Sequence, residues 1–140
     1  MEAVKKVLGN DKFCTETVGI ELVEIRPGEA KAKLEVRDIH LNGLGIVQGG
    51  AIFTLADFAL AAASNSHGIA AVLINGNISY LKAVSKGILF AEAKEESLNQ
   101  KLATYTIKIT SGEGDLIALM QATVYRKKET LESVLGHTRH

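Results

Sequence analysis

Between Asp38 and Lys82 the chain carries one formally charged side chain, Asp57. It sits in the run Gly49-Gly50-Ala-Ile-Phe-Thr-Leu-Ala-Asp57-Phe-Ala-Leu-Ala-Ala-Ala-Ser64. That run is helix-forming and apolar on nearly every face, so it reads as a buried helix. Burying an unpaired carboxylate costs on the order of several kcal/mol, comparable to the net stability of a small domain. Such a residue calls for a compensating partner or a use.

Gly49 and Gly50 fall at the start of the same helix. The first amides of a helix have no intrahelical acceptor and lie at the positive end of its dipole. Glycine also lets a ligand approach the backbone closely. The pair therefore suits an oxyanion hole, in which N–H groups meet a carbonyl oxygen that gains charge during acyl transfer. Gln48, just before it, and Asn42, in the preceding loop, offer side-chain amides that could donate to or orient a carbonyl or a water. Two plainer readings stand beside this one. The Gly-Gly pair could serve only as a turn, and Asp57 could simply hydrogen-bond Thr54 or a nearby backbone amide.

Asp57 is eight residues beyond Gly49, so the two are about 12 Å apart at the helical rise of about 1.5 Å per residue. One acyl group cannot touch both on the same helix. If both serve one reaction, they come from two subunits whose helices run antiparallel, which implies a homodimer with shared sites.

The elements that must position these residues follow from local pattern. Residues 2–8 read as a short amphipathic helix. Gly19–Ile25 reads as a strand, Arg26-Pro27-Gly28-Glu29 as a turn. From Ala30 to Arg37 the pattern alternates, with Ala30, Ala32, Leu34 and Val36 facing in, so this is a half-buried antiparallel strand. A loop over 38–48 leads to the helix, from about Gly49 to Ser66. Four strands follow, at roughly 70–81, 87–96, 102–111 and 115–126. The tail from Lys127 to His140 is polar and reads as exposed and partly helical. One long Ala-rich helix among about six antiparallel strands predicts an α+β domain spanning 1–140, with the sheet wrapped around the helix.

Composition narrows the function classes. Apolar residues are 46% and charged residues 23%, with 16 basic and 16 acidic side chains, so no net basic field exists to attract nucleic acid. The one cysteine, Cys14, excludes an intramolecular disulfide and suits a reducing compartment; it reads as a small buried or semi-buried residue. There is no signal-peptide core and no uninterrupted apolar span, so a cytoplasmic protein with no membrane partner is expected. His40 and His67 lack companions at ligand spacing, which argues against a metal site. No Gly-x-Ser-x-Gly elbow is present.

The segment from Asn42 through Gln48-Gly49-Gly50 to Asp57 and on to Ala63-Ser64-Asn65 resembles the hotdog-fold acyl-CoA thioesterases, most closely the phenylacetate-pathway (PaaI-like) subfamily. Asn77-Ile-Ser-Tyr80-Leu-Lys82-Ala83 resembles the family's following strand. The resemblance implies a six-stranded antiparallel sheet around one central helix, and hydrolysis of an acyl-CoA, aromatic or of medium chain, to acid and CoA. No cofactor is implied beyond the CoA of the substrate. It implies that Gly49 donates the oxyanion amide, that Asp57 of the other subunit acts as nucleophile or general base, and that Asn42 binds thioester or water. It also implies a dimer that pairs again into a tetramer. Gln48 replaces the family's usual His. A Ser or Thr common on the next strand has no counterpart around Leu73-Ile74-Asn75, leaving its role vacant or to Asn75. Gly50, Asn75, Lys82 and Lys127, with Lys128 beside it, are the candidates for substrate contacts, the lysines toward the CoA phosphates. Two rival readings remain: an acyl-CoA-binding sensor or accessory subunit without turnover, and a dehydratase of the same fold, which needs a His–acid pair.

Overall fold

A computed structural model describes residues 1–137. Its elements are helix α1 (Glu2–Gly9), a π-helical turn (Phe13–Val18), strands β1 (Glu21–Arg26) and β2 (Glu29–Glu35), helix α2 (Gly49–Asn65), strands β3 (Ile69–Tyr80), β4 (Ile88–Leu98), β5 (Leu102–Ser111) and β6 (Leu116–Thr130), and helix α3 (Leu131–His137). The strands form one antiparallel sheet in the order β1-β2-β4-β5-β6-β3. The sheet packs around α2, as the alternating strands and Ala-rich helix imply.

The register explains why the sheet can approach the helix so closely. One inward row runs Ala30, Ala93, Ile107, Met120, Ile78; the next runs Ala32, Ala91, Ile109, Ala118, Tyr80. Opposite them, Ala56, Ala59, Ala62 and Ala63 of α2 are fully buried. Alanine on both surfaces lowers the separation, and Leu34, Leu55, Leu60, Leu89 and Ile117 fill the space to either side.

The helix is not sealed on every face, contrary to the reading from hydropathy. Gly50, Phe53, Thr54, Asp57 and Ala61 are partly or fully exposed. Their spacing places them on one stripe, which faces away from the chain's own sheet.

Three further departures concern the ends and an edge. Residues 13–18 form a π-helical turn closed by Gly19 in the left-handed region, φ 87°. The expected polar tail begins later than Lys127, because β6 continues to Thr130 and α3 follows, anchored by the buried Leu131. Residues 138–140 of that tail lie outside the described residues. In β3 the register slips between Leu73 and Asn75. This bulge turns Leu73, Gly76 and Ile78 toward the helix and Asn75 and Asn77 away from it.

The C-terminal end of α2 is tied to β3 by one side chain. Asn65 accepts from the Ala71 N–H at 2.9 Å and donates to the Ala61 carbonyl at 2.8 Å, and it is buried. Replacing Asn65 by Ala leaves the Ala71 amide unpaired in the interior. Loss of about 1–3 kcal/mol of unfolding free energy is expected, measured as a lower urea midpoint with unchanged slope.

Candidate active site

The N-terminus of α2 is presented by a loop whose polar groups are nearly all engaged. The Asn42 side-chain oxygen accepts from the N–H groups of Leu44 (2.9 Å) and Ile46 (3.3 Å). Its carbonyl oxygen is therefore committed to shaping the loop, and only its NH2 group remains to meet a substrate. His40 is buried and acts as a second staple. Its Nδ1 accepts from the Arg37 N–H at 2.9 Å and its Nε2 lies 2.7 Å from the Val18 carbonyl. With both ring nitrogens tied to backbone, His40 is not free to act as a catalytic base; the His–acid pair that the structure does hold, His67 Nε2 at 2.7 Å from Glu95, lies beyond the C-terminal end of α2, the opposite end from Gly49. The His40 carbonyl also accepts from the Gln48 N–H at 2.8 Å.

Beyond that staple the Gln48 carbonyl accepts from Ala51 (2.9 Å) and Ile52 (3.2 Å). This orients the Gln48–Gly49 peptide, and the Gly49 and Gly50 N–H groups have no acceptor among the described residues. Tyr80, on the inward row of β3, donates its hydroxyl to the Gly49 carbonyl at 2.9 Å. A Cβ at Gly49 would lie 3.2 Å from the Tyr80 ring. The glycine is thus set by close approach of that ring, a contact that sequence reading did not single out. The Gln48 side chain is exposed and makes no capping bond.

Asn42, Gly49, Ile52, Tyr80, Lys82 and their neighbours line a pocket of about 360 Å³. Lys82 is at its rim, paired with Asp115 at 2.9 Å. The structure thus brings together Asn42, Gly49 and Lys82. It does not bring Asn75 or Lys127 to them. The β3 bulge puts Asn75 on the outer sheet face beside Gln121 and Thr123. No hydroxyl replaces it on the helix side, where Gly76 makes room for the Met120 side chain. Lys127 lies nine residues along β6 from Ala118, the partner of Tyr80, roughly 30 Å away at strand rise. Within one chain neither residue lines the pocket at Gly49.

Asp57 stands apart from that pocket, further along the helix. The Thr54 hydroxyl is spent on the Gly50 carbonyl at 2.7 Å. Asp57 itself has no hydrogen bond or ion pair among the described residues. Burial, and then the nearby negative charge of Asp11, push its pKa above the usual carboxylate range. Cys14, on the π-helical turn next to it, is buried, and its thiol is pushed up to about 12, first by burial and then by Asp11. It is not a nucleophile at neutral pH. Among the described residues no group of His, Cys, Asp and Glu could hold a metal ion, and no helix is long and apolar enough to cross a membrane.

These features match a known family. A sequence model of the Thioesterase superfamily matches residues 44–118. A putative esterase of Archaeoglobus fulgidus is 42% identical, over 92% of this chain and 84% of its own length. The acyl-coenzyme A thioesterase PaaI of Escherichia coli is 32% identical over 81% of each chain. The solved structure of the E. coli PaaI protein superposes with a TM-score of 0.86, at 27% identity, over 92% of this chain and 96% of that one. A Streptococcus mutans protein, smu.793, solved bound to acetyl CoA, superposes with a TM-score of 0.76 at 25% identity, over 79% of this chain and 90% of that one. By sequence and by architecture, then, this chain belongs to the Thioesterase superfamily and is a PaaI-like, hotdog-fold thioester hydrolase.

Proposed function

We propose that the protein hydrolyses acyl-CoA thioesters at sites shared between two copies of the chain. The observation that carries this reading is a pair of unmet needs on one rigid helix. Two N–H donors at its start have no acceptor, and a desolvated carboxylate about 12 Å further on has no partner. The relatives add the leaving group: E. coli PaaI is named an acyl-coenzyme A thioesterase, and smu.793 is seen with acetyl CoA.

A second copy has a place to sit. β3 is a sheet edge of 12 residues, and Val72, Ile74, Tyr80 and Leu81 are exposed along or just beyond it. A long apolar edge invites pairing with its own copy. Antiparallel β3–β3 pairing extends the sheet and lays the two α2 helices side by side in opposite directions. The open stripe with Asp57 then faces the partner's Gly49. Whether such dimers pair again is read from the mass in solution.

In this reading the thioester oxygen accepts from the Gly49 N–H, and the Asn42 NH2 group holds the oxygen or the water. Asp57 of the other subunit takes a proton from water as its oxygen bonds to the acyl carbon. The C–S bond then breaks, the proton passes to sulfur, and acid and free CoA leave. If Asp57 instead attacks directly, a mixed anhydride forms as the CoA thiolate leaves, and water that opens it at the aspartyl carbon labels the Asp57 carboxylate in a single turnover in 18O-water.

Backbone geometry permits a clean removal of the donor. Gln48 has φ −57° and ψ 131°, which a following proline accepts, and Pro is favoured at the first helical position. Gly49→Pro therefore deletes the N–H, whereas Gly49→Ala adds the Tyr80 contact but keeps it. A fall in kcat of about 10²–10³-fold is expected for Gly49→Pro, well beyond that for Gly49→Ala, and about 10²–10⁴-fold for Asp57→Asn. Co-expression of Asp57→Asn with Gly49→Pro subunits assembles heterodimers with one intact site and regains CoA release. If both groups belonged to one chain, every site would carry a defect and nothing would return.

The pH dependence has a definite sign. Asp57 must be ionised to act, so the acid limb of kcat falls above the ordinary carboxylate range. Because its folded pKa is raised, its ionisation opposes folding. The penalty is absent below the unfolded pKa of about 3.9 and grows as pH rises through the folded value. Asp57→Asn is expected to raise Tm at neutral pH, by a margin that shrinks on acidification.

A further inference from the structure

Asp57 shares its flank of the helix with a second acid. Asp11 stands at the head of the π-helical turn, and hydrogen bonds fix it there. Its side-chain Oδ1 accepts from the Cys14 N–H at 3.0 Å. Its carbonyl accepts from the Thr15 N–H at 3.0 Å and from the Thr15 hydroxyl at 2.9 Å. The Cys14 thiol, kept protonated first by burial, donates to the same carboxylate, and the charge of Asp57 reaches that thiol as well. Cys14 thus lies beside both acids, Asp11 on its own turn and Asp57 on α2. π-helical turns are rare and recur at functional sites.

Neither acid has a cation. Among the described residues no ion pair includes Asp11 or Asp57. Lys12, next to Asp11 in the chain, pairs with Glu16 at 3.6 Å; Lys5 of α1 pairs with Glu2 at 3.8 Å, and Lys6 is exposed. The strands turn Tyr80, Glu95, Tyr105 and Arg126 inward. Tyr80 is tied to the Gly49 carbonyl, and the other three gather with His67 beyond the C-terminal end of α2. The stretch that a second copy would bring to Asp57, residues 41–56, carries no charged side chain. Burial, and after it the Asp11 charge, raise the Asp57 pKa. A like charge beside a desolvated acid opposes folding, and a neutral asparagine or serine caps a turn as well. An unfavourable charge held so firmly points to a use.

We propose that Asp11 is a positioning residue of the hydrolysis that acts through Asp57: its carboxylate, locked by the π-helical turn, supplies the negative charge that draws the proton of water onto Asp57. The inference rests on the reading of Asp57 as the working acid. Without that charge Asp57 ionises at lower pH and is a weaker base.

Asp11→Asn is the test, because its side-chain oxygen still accepts from the Cys14 N–H while the charge is gone. Asp11→Ser is a second neutral cap, and thermal melts check that each variant folds. The first readout is the pH profile of kcat and KM on acetyl-, benzoyl- and decanoyl-CoA. In both variants the acid limb of kcat should move to lower pH. The plateau should fall by well under the loss of about 10²–10⁴-fold that follows removal of a base, with KM unchanged. Asp11 is exposed, so salt reaches it. Raising the ionic strength from about 0.01 M to about 1 M shortens the screening length from about 30 Å to about 3 Å. That should move the wild-type limb the same way and the limb of the variants less. The second readout needs no turnover: the gain in Tm from Asp57→Asn at neutral pH should be smaller in the Asp11→Asn background than in the wild type. An acid limb that stays in place, with the same Tm gain in both backgrounds, overturns the role of Asp11 and leaves the hydrolase reading standing. A lower kcat with an unshifted limb does the same, since it marks a merely structural cap. A smaller Tm gain with no CoA release from any thioester by the wild type shows that the two acids repel, but overturns the hydrolase reading and the catalytic role of Asp11 with it.

Discussion

The length of one helix segment governs the functional geometry of this protein. An α-helix is a rigid ruler, and eight residues of it separate a set of unpaired N–H donors from an unpaired carboxylate. The desolvated carboxylate is costly to leave unmet, whereas the N–H groups stand open to water or a ligand. Neither can satisfy the other within the chain, and neither can share a small ligand with the other. The remaining architecture fits that restriction. The sheet covers only one side of α2, the stripe containing Asp57 stays open, and β3 is an unpaired edge of the sheet.

The polar groups around the helix start divide into two kinds. His40, the Asn42 side-chain oxygen, the Tyr80 hydroxyl and the Thr54 hydroxyl are all consumed by backbone partners. They shape the loop and fix the glycine peptide. What remains free is the N–H groups of Gly49 and Gly50, the Gln48 side chain, the Asn42 NH2 group and, further along the helix, Asp57; these include the groups the proposed hydrolysis would use. Ordinary folding pressure pairs buried polar groups, so a largely desolvated Asp57 left without a partner is the departure that points to something outside the chain.

Much of this was legible in the sequence because its signals are local. The alternation from Ala30 to Val36 sets the inward face of β2, and the observed burial follows it residue by residue, with Val36 the least covered. The Gly49 start of α2 and the Pro27-Gly28 turn are likewise written in residue type. Three features were not legible. The π-helical turn has no hydrophobic period to announce it. The bulge at Ile74 reverses which residues of β3 meet the helix, and one skipped register position is enough to send Asn75 to the outer face. The role of Tyr80 depends on cross-strand register with Ala118, which no single segment encodes. In each case the missing information is tertiary.

In the proposed dimer, assembly and reactivity would be coupled through Asp57. Its pKa is already raised by the burial its own chain provides and by Asp11. A second chain laid over the open stripe, as proposed, would withdraw more water from the carboxylate and raise it further. The same step strengthens it as a base and makes its charge more expensive to keep. In that dimer the cost would oppose association, and covering the apolar surface of β3 and Phe53 would offset it. A substrate reduces the cost further, because its polarised carbonyl carbon and the water it holds give the carboxylate partners it otherwise lacks. A group this poorly solvated in the resting protein thus has the most to gain in the transition state, where the charge it carries is finally shared.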